Sequence, residues 1–163
     1  DREWTEDMFK YIGLELPDDP VKVAREAKAW ITPQIRSAYP GIIEVLRELE
    51  KEYTLYVASN GPRDTLQWYY EGMGIADVFA GVYGSDIIHA FKNTPYYFQQ
   101  IVKDTGVNPE QSVMIDDKIE HLQNAHKTGF HVIHSGLAGD EPGEFPYFNQ
   151  SVQLLEIIKE IGK

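Results

Sequence analysis

The sequence predicts an α/β protein: a parallel sheet flanked by helices, with a short helical section ahead of it. Two observations carry this. From Pro40 to the C-terminus, short β-rich runs alternate with amphipathic helical runs, the pattern of a parallel sheet whose crossovers are helices. Before that point the chain is polar-aromatic and helix-forming, and Pro33 and then Tyr39-Pro40-Gly41 break the run. Ligands bind such sheets beyond the carboxyl ends of the strands, so the residues that follow each strand are the ones to inspect.

Asp18, Asp19 and Pro20 form a start signal for a helix through Trp30. Ile42, Ile43, Leu46 and Leu49 share one helical face, which predicts a helix over 40–52. Tyr53 to Ala58 reads as a strand ending in the turn Ser59-Asn60-Gly61-Pro62. A helix over 63–73 and a short strand over 78–83 follow. Thr94-Pro95 is a cap and first-position pair for a helix through Asp104, with Tyr97, Phe98, Ile101 and Val102 on its buried side. Ser112 to Ile115 is a short apolar strand that runs into Asp116-Asp117. The next helix carries Ile119, Leu122 and Ala125 and stops at Gly129, a left-handed terminator. Phe130 to His134 is a further strand, and a helix over 152–161 closes the chain.

The 163 residues suffice for one well-buried core. The net charge of −11 opposes general binding to nucleic acid or to an anionic membrane, because polyanions are repelled at long range. It leaves room for a small phosphorylated substrate, since one local cation outweighs a diffuse field. With no cysteine, thiolate catalysis, disulfides and Cys-based zinc sites are excluded. No apolar run is long enough to span a bilayer, and a cytoplasmic protein is the expectation.

Three strand ends stand out: Ser59-Asn60-Gly61, Lys92 ahead of the Thr94 helix, and Asp116-Asp117. A hydroxyl with nearby backbone N–H groups suits phosphoryl oxygens at a helix start. A lysine neutralises charge on a transferring phosphoryl group, and adjacent carboxylates suit Mg²⁺, a hard cation that prefers oxygen. Each has a plainer reading. Ser-Asn-Gly is an ordinary turn, and a lone lysine is ordinarily a solvated charge. Two adjacent aspartates after an apolar strand are the least ordinary, because like charges repel.

In this order the segments resemble the motifs of the haloacid dehalogenase (HAD)-like hydrolase superfamily. Val57 to Pro62 is similar to its second motif, Lys92 stands where its third-motif lysine would be, and Val113 to Asp117 with Asn124-Ala125 and Lys127 to Phe130 is similar to its fourth. Tyr39 to Leu46 resembles the stretch that re-enters the core after a helical cap. The resemblance implies a Rossmann-like (HAD-like) core over 39–163, with 1–38 a partial helical cap. It implies a Mg²⁺-dependent phosphatase in which an aspartate forms an aspartyl-phosphate and a second aspartate, two residues on, serves as acid and base. By position, Ser59, Asn60 and Gly61 would bind phosphate, Lys92 would be catalytic, and Asp116 and Asp117 would support the metal.

One motif has no counterpart. The family's first motif, an apolar strand ending in Asp-x-Asp, does not occur ahead of Ser59: Asp1-Arg2-Glu3 has no strand before it, and Asp7 and Asp18-Asp19 lie in polar contexts. Asp116 ends an apolar strand, but the residue two beyond it is Lys118. His121 stands where the family often has Asn or Asp. The missing strand is central in the fold, so the expectation is a chain incomplete for catalysis, with a sheet that is a fragment, is completed by a second chain or self-association, or is rearranged. The alternative is a non-catalytic HAD-like domain that binds a phosphorylated ligand or a protein partner through aromatic residues such as Trp4, Phe9, Tyr11, Trp30 and Tyr39.

Overall fold

Local end signals explain how the N-terminal helices form. The structure, a computed structural model, describes residues 2–161; Asp1, Gly162, Lys163 and the side chain of Trp4 lie outside the described residues. Helix α1 (Arg2–Ile12) packs against α2 (Pro20–Ile31). The Asp19 carboxylate accepts the Lys22 N–H at 3.0 Å and Pro20 fills the first turn, so α2 starts where the sequence places it. A 3₁₀ turn over Thr32–Gln34 ends this section and rests against α4 (Arg63–Met73). Gly72 makes that contact possible: a Cβ there would stand 2.3 Å from the Pro33 carbonyl oxygen.

The alternating region follows. After α3 (Ile42–Leu49) come β1 (Leu55–Ala58), α4, β2 (Phe79–Tyr83), the single turn α5 (Ser85–Ile88) and α6 (Pro95–Thr105). Next are β3 (Val113–Asp116), α7 (Ile119–His126), β4 (His131–Ser135), the two-residue β5 (Tyr147–Phe148) and α8 (Gln153–Ile161). Helix α3 is shorter than the apolar pattern suggests, because Gly41 takes a left-handed conformation (φ 76°) and the chain turns out of the helix after Leu49. Thr94 does precede α6, but its hydroxyl donates to the Phe91 carbonyl and does not cap the helix. Gly129 has φ 96° and closes the turn after α7, in keeping with a left-handed terminator.

All strand pairs are parallel, as the alternation requires. They form two pieces, β1–β2 and β3–β4–β5, with no ladder between β1 and β3. Helices cover both faces of β4. Val132 packs with Phe98 of α6 and Leu122 and Ala125 of α7, while Ile133 packs with Val45 of α3 and Leu154 and Ile158 of α8. That alternation is the period of two expected of a central strand. Strand β4 is buried at Val132, Ile133 and His134, whereas Val113, Met114 and Ile115 of β3 are only half-buried. Among the described residues no helix is long and apolar enough to cross a membrane.

Backbone direction shows where the break lies. The Ser59 N–H donates to the Tyr83 carbonyl at 3.0 Å, so Ser59 and, by alternation, Val57 and Leu55 face β2. Tyr56 and Ala58 therefore direct their backbone groups away from β2. The same alternation, set by the 3.0 Å bond from the His131 N–H to the Ser112 carbonyl, turns Val113 and Ile115 away from β4. In hydrogen-exchange NMR the amides of Tyr56, Ala58, Val113 and Ile115 should exchange at least tenfold faster than those of Val132 and Ile133. Equal protection would mean that β1 and β3 are paired.

Candidate active site

The strand ends converge through Lys92. Its Nζ lies 2.5 Å from Asp116 Oδ2 and 3.3 Å from the Ala58 carbonyl oxygen. Ala58 is the last residue of β1 and faces the break, so the lysine takes a carbonyl with no partner in β2. One ammonium thus joins the carboxyl ends of the two sheet pieces. The Lys92 backbone is held from both sides: its N–H donates to Asn60 Oδ1 at 2.8 Å, and its carbonyl accepts from Asn124 Nδ2 at 3.3 Å. Asn124 sits on α7 and is buried.

Asp116 is only 6% exposed. A carboxylate there needs compensation, and it has three contacts: Lys92 Nζ on Oδ2, and the Lys118 N–H (2.9 Å) and His121 Nδ1 (2.9 Å) on Oδ1, with the Lys92 charge the dominant one. Since a carboxylate only accepts, His121 carries its proton on Nδ1. Burial pushes the Asp116 carboxyl up, but Lys92, through its charge and hydrogen bond, with Lys118 and His121, outweighs this and holds it below the usual carboxylate range. Asp117 differs. Its side chain is half-exposed and pairs with Lys118 Nζ at 3.2 Å, and Lys118 also reaches Asp140 Oδ1 at 3.6 Å.

The Ser59 loop is fixed by neighbours far apart in sequence. Ser59 Oγ accepts the Gly61 N–H at 3.1 Å, which leaves the hydroxyl proton free to donate. The buried Tyr97 hydroxyl contacts the carbonyls of both Tyr83 (2.6 Å) and Ser59 (3.2 Å), and burial raises its phenol far above its usual range. Ser85 donates from Oγ to the Asn60 carbonyl (2.8 Å) and from its N–H to the Gly61 carbonyl (3.3 Å). Asp86 caps α4 by accepting the Arg63 N–H at 2.8 Å. Gly84 permits this crowding, because a Cβ there would meet Asp86, Arg63 and Gly61 atoms within 2.6 Å.

The structure therefore brings Ser59, Asn60, Gly61, Lys92 and Asp116 into one hydrogen-bonded unit, with Asp117 beside it on a separate ion pair. The sequence reading gave no site role to Asn124, Tyr97, Asp86 or Lys118. Two of them left a signal there: Asn124 within the fourth-motif resemblance, and Tyr97 as a tyrosine on a buried helical face whose hydroxyl needs an acceptor. His131 and His134, three apart on β4, face opposite ways. His131 is exposed, and His134 is buried, donating from Nε2 to the Asp117 carbonyl at 3.3 Å.

The sequence model of the haloacid dehalogenase-like hydrolase family matches residues 1–129. The chain belongs to that family. It is 29% identical over 134 residues to a phosphoglycolate phosphatase of Rhodospirillum rubrum, a match covering 77% of this chain and 56% of that relative's length. Solved structures agree on the fold. A HAD phosphatase from Thermococcus onnurineus aligns with TM-score 0.74 at 23% identity, over 96% of this chain and 72% of its own. The L-2-haloacid dehalogenase of Xanthobacter autotrophicus with chloropropionic acid covalently bound gives 0.71 at 21% identity, over 97% and 74%. A HAD-hydrolase from Bacillus subtilis bound to magnesium gives 0.71 at 15% identity, over 93% and 68%.

Lys92→Met should leave Asp116 buried without its main counter-ion, a loss of about 3 kcal/mol at neutral pH by urea denaturation. The sign follows from the carboxyl. In the wild type its value is depressed, so the stabilisation is present above about pH 4 and is lost as pH falls through the folded value. The variant's carboxyl is raised by burial, so its penalty also fades on acidification. The difference between the two proteins should shrink toward pH 4, and a difference independent of pH would contradict the ion pair.

Proposed function

We propose that this HAD-like hydrolase chain carries the phosphate-binding and charge-neutralising part of a phosphatase acting on a small phosphorylated substrate. The observation that supports this most directly is Lys92, whose ammonium reaches Ala58 O and Asp116 while its backbone is tied to Asn60. Ser59 would donate its hydroxyl proton to a phosphoryl oxygen, with the Asn60-Gly61 turn and the start of α4 beside it. Lys92 would shift part of its charge from Asp116 to the phosphoryl group and offset the negative charge that grows there. The phosphoglycolate phosphatase relative makes phosphoglycolate the first substrate to try.

Asp116 and Asp117 are the residues we propose as supports for Mg²⁺, which when bound neutralises phosphoryl oxygens. Their donor chemistry suits a hard cation, but their number does not complete a site. Among the described residues no three His, Asp or Glu side chains stand together in a way that could hold a metal, and Asp116 already has three contacts. We read residues 1–38 as part of a helical cap and 39–163 as a core that takes a further strand between β1 and β3. That strand comes from outside the described residues or from a second molecule, and by family resemblance it brings the nucleophilic aspartate.

The purified 163-residue chain should therefore show no Mg²⁺-dependent turnover of p-nitrophenyl phosphate or phosphoglycolate. It should still bind inorganic phosphate in the millimolar range, with NMR shifts at the amides of Ser59, Asn60, Gly61 and Lys92. Ser59→Ala should weaken that binding several-fold, and Lys92→Met should abolish it. Turnover that vanishes in Asp116→Ala would place the nucleophile at Asp116 and sink this reading, as would phosphate shifts that avoid these residues.

A further inference from the structure

The Asn60-Gly61 dipeptide joins a reactive sequence to a clamped geometry. Of the five asparagines, Asn60 alone is followed by glycine. Glycine has no Cβ to hinder its own nitrogen as it approaches the carboxamide carbon of the residue before it. Asn60 is exposed, so water reaches it. The loop nevertheless fixes each group that such an approach would have to move. The Gly61 N–H donates to Ser59 Oγ at 3.1 Å, and Asn60 Oδ1 accepts the Lys92 N–H at 2.8 Å. Ser85 holds both carbonyls of the dipeptide: its Oγ donates to that of Asn60 at 2.8 Å and its N–H to that of Gly61 at 3.3 Å.

We infer that Asn60 is a site of spontaneous deamidation, and that Ser59, Ser85 and Lys92 hold the reaction back in the folded chain. In the covalent step the Gly61 nitrogen bonds to Asn60 Cγ and the Cγ–Nδ2 bond breaks. The carboxamide nitrogen leaves as ammonia, taking the proton of the Gly61 amide. Water then opens the succinimide at either of its carbonyls and leaves aspartate or isoaspartate at position 60. Attack requires the Gly61 amide to give up its proton, the carboxamide to turn toward it, and the peptide to rotate. The bond to Ser59 Oγ opposes the first, the Lys92 backbone the second and Ser85 the third. The product sets a negative charge in the turn, and in isoaspartate an added backbone carbon, beside Lys92. Its effect on phosphate rests on the proposed function, whereas the covalent step does not.

The test is incubation of the whole chain in warm, mildly alkaline buffer, native and in guanidinium chloride. Peptide mapping by mass spectrometry follows the amide-to-acid change, and isoaspartate methyltransferase serves as the second readout. In the unfolded chain Asn60 should react faster than Asn93, Asn124 or Asn149, none of which precedes glycine. In the native chain its rate should fall about thirtyfold, the factor given by two hydrogen bonds of ordinary net strength. Ser85→Ala and Ser59→Ala should each recover about fivefold, the share of one such bond. Amide protection at Val132 and Ile133 identifies the variants that stay folded, and either one suffices. A rate at Asn60 no faster than at Asn149 in guanidinium chloride overturns the site. Equal rates in native and unfolded wild type, or in wild type and the folded variants, overturn the clamp. Asn60→Asp should weaken the phosphate titration about fivefold, the effect of one unit charge added at about 4 Å in a water-like dielectric. Unchanged phosphate binding in that variant counts against the functional reading and leaves the covalent step standing.

Discussion

The Asp116 carboxylate, taken out of water at the end of β3, is the constraint around which the rest of the site is arranged. An isolated buried carboxylate is costly enough that it would protonate instead. Keeping it charged requires donors from several directions at once. Lys92 comes from the loop before α6, the Lys118 N–H from the strand-to-helix turn, and His121 from the first turn of α7. Lys92 meets that demand only because its own backbone is held by Asn60 on one side and Asn124 on the other. The charge of one side chain thus orders two loops and a helix start.

The same ion pair crosses the break in the sheet. A central strand of a parallel sheet is hydrogen-bonded on both edges, and an edge facing protein without a partner leaves backbone groups unsatisfied. Here the break is met at the carboxyl end by an ammonium, which takes the Ala58 carbonyl while it holds Asp116. Along the rest of the break, Leu55, Val113 and Ile115 keep apolar contact with the α3 and α8 side of the core, and Ala58 and Met114 with the α6 and α7 side. Apolar packing and one ion pair hold the two pieces as neighbours, although no ladder joins them.

Element order was legible because each element is written locally. Pro20 and Pro95 in first turns, Gly129 after α7 and the apolar spacing of α8 are all short-range signals. Helix α4 falls on the residues anticipated. The strand ends Ser59 and Asp116 were legible for the same reason, since a strand followed by a turn fixes which residue reaches the carboxyl edge. Partners that depend on long-range approach were not. Nothing about Asp86 in the sequence says that it caps a helix 23 residues earlier, and nothing about Asn124 marks it as the donor to Lys92. Thr94 shows the converse: the residue type favours a cap, yet the nearby Phe91 carbonyl takes the hydroxyl. The two-residue β5 is too short to carry any period, and its pairing with β4 is set by the tertiary fold.

Charge placement also reconciles an acidic chain with a phosphate-directed site. A net charge of −11 would oppose an anion if it acted as a uniform field. At physiological ionic strength, however, exposed charges are screened beyond about 8 Å, so the potential a small ligand meets is set by the groups around it. At the strand ends each carboxylate has a lysine beside it, Lys92 against Asp116 and Lys118 shared by Asp117 and Asp140. The Ser59 hydroxyl and the nearby amides add donors without charge. Under the proposed function a phosphoryl group arriving there would meet lysines already in place and exchange one anionic partner of Lys92 for another, so the buried aspartate that orders the site would also keep its cation ready for the ligand.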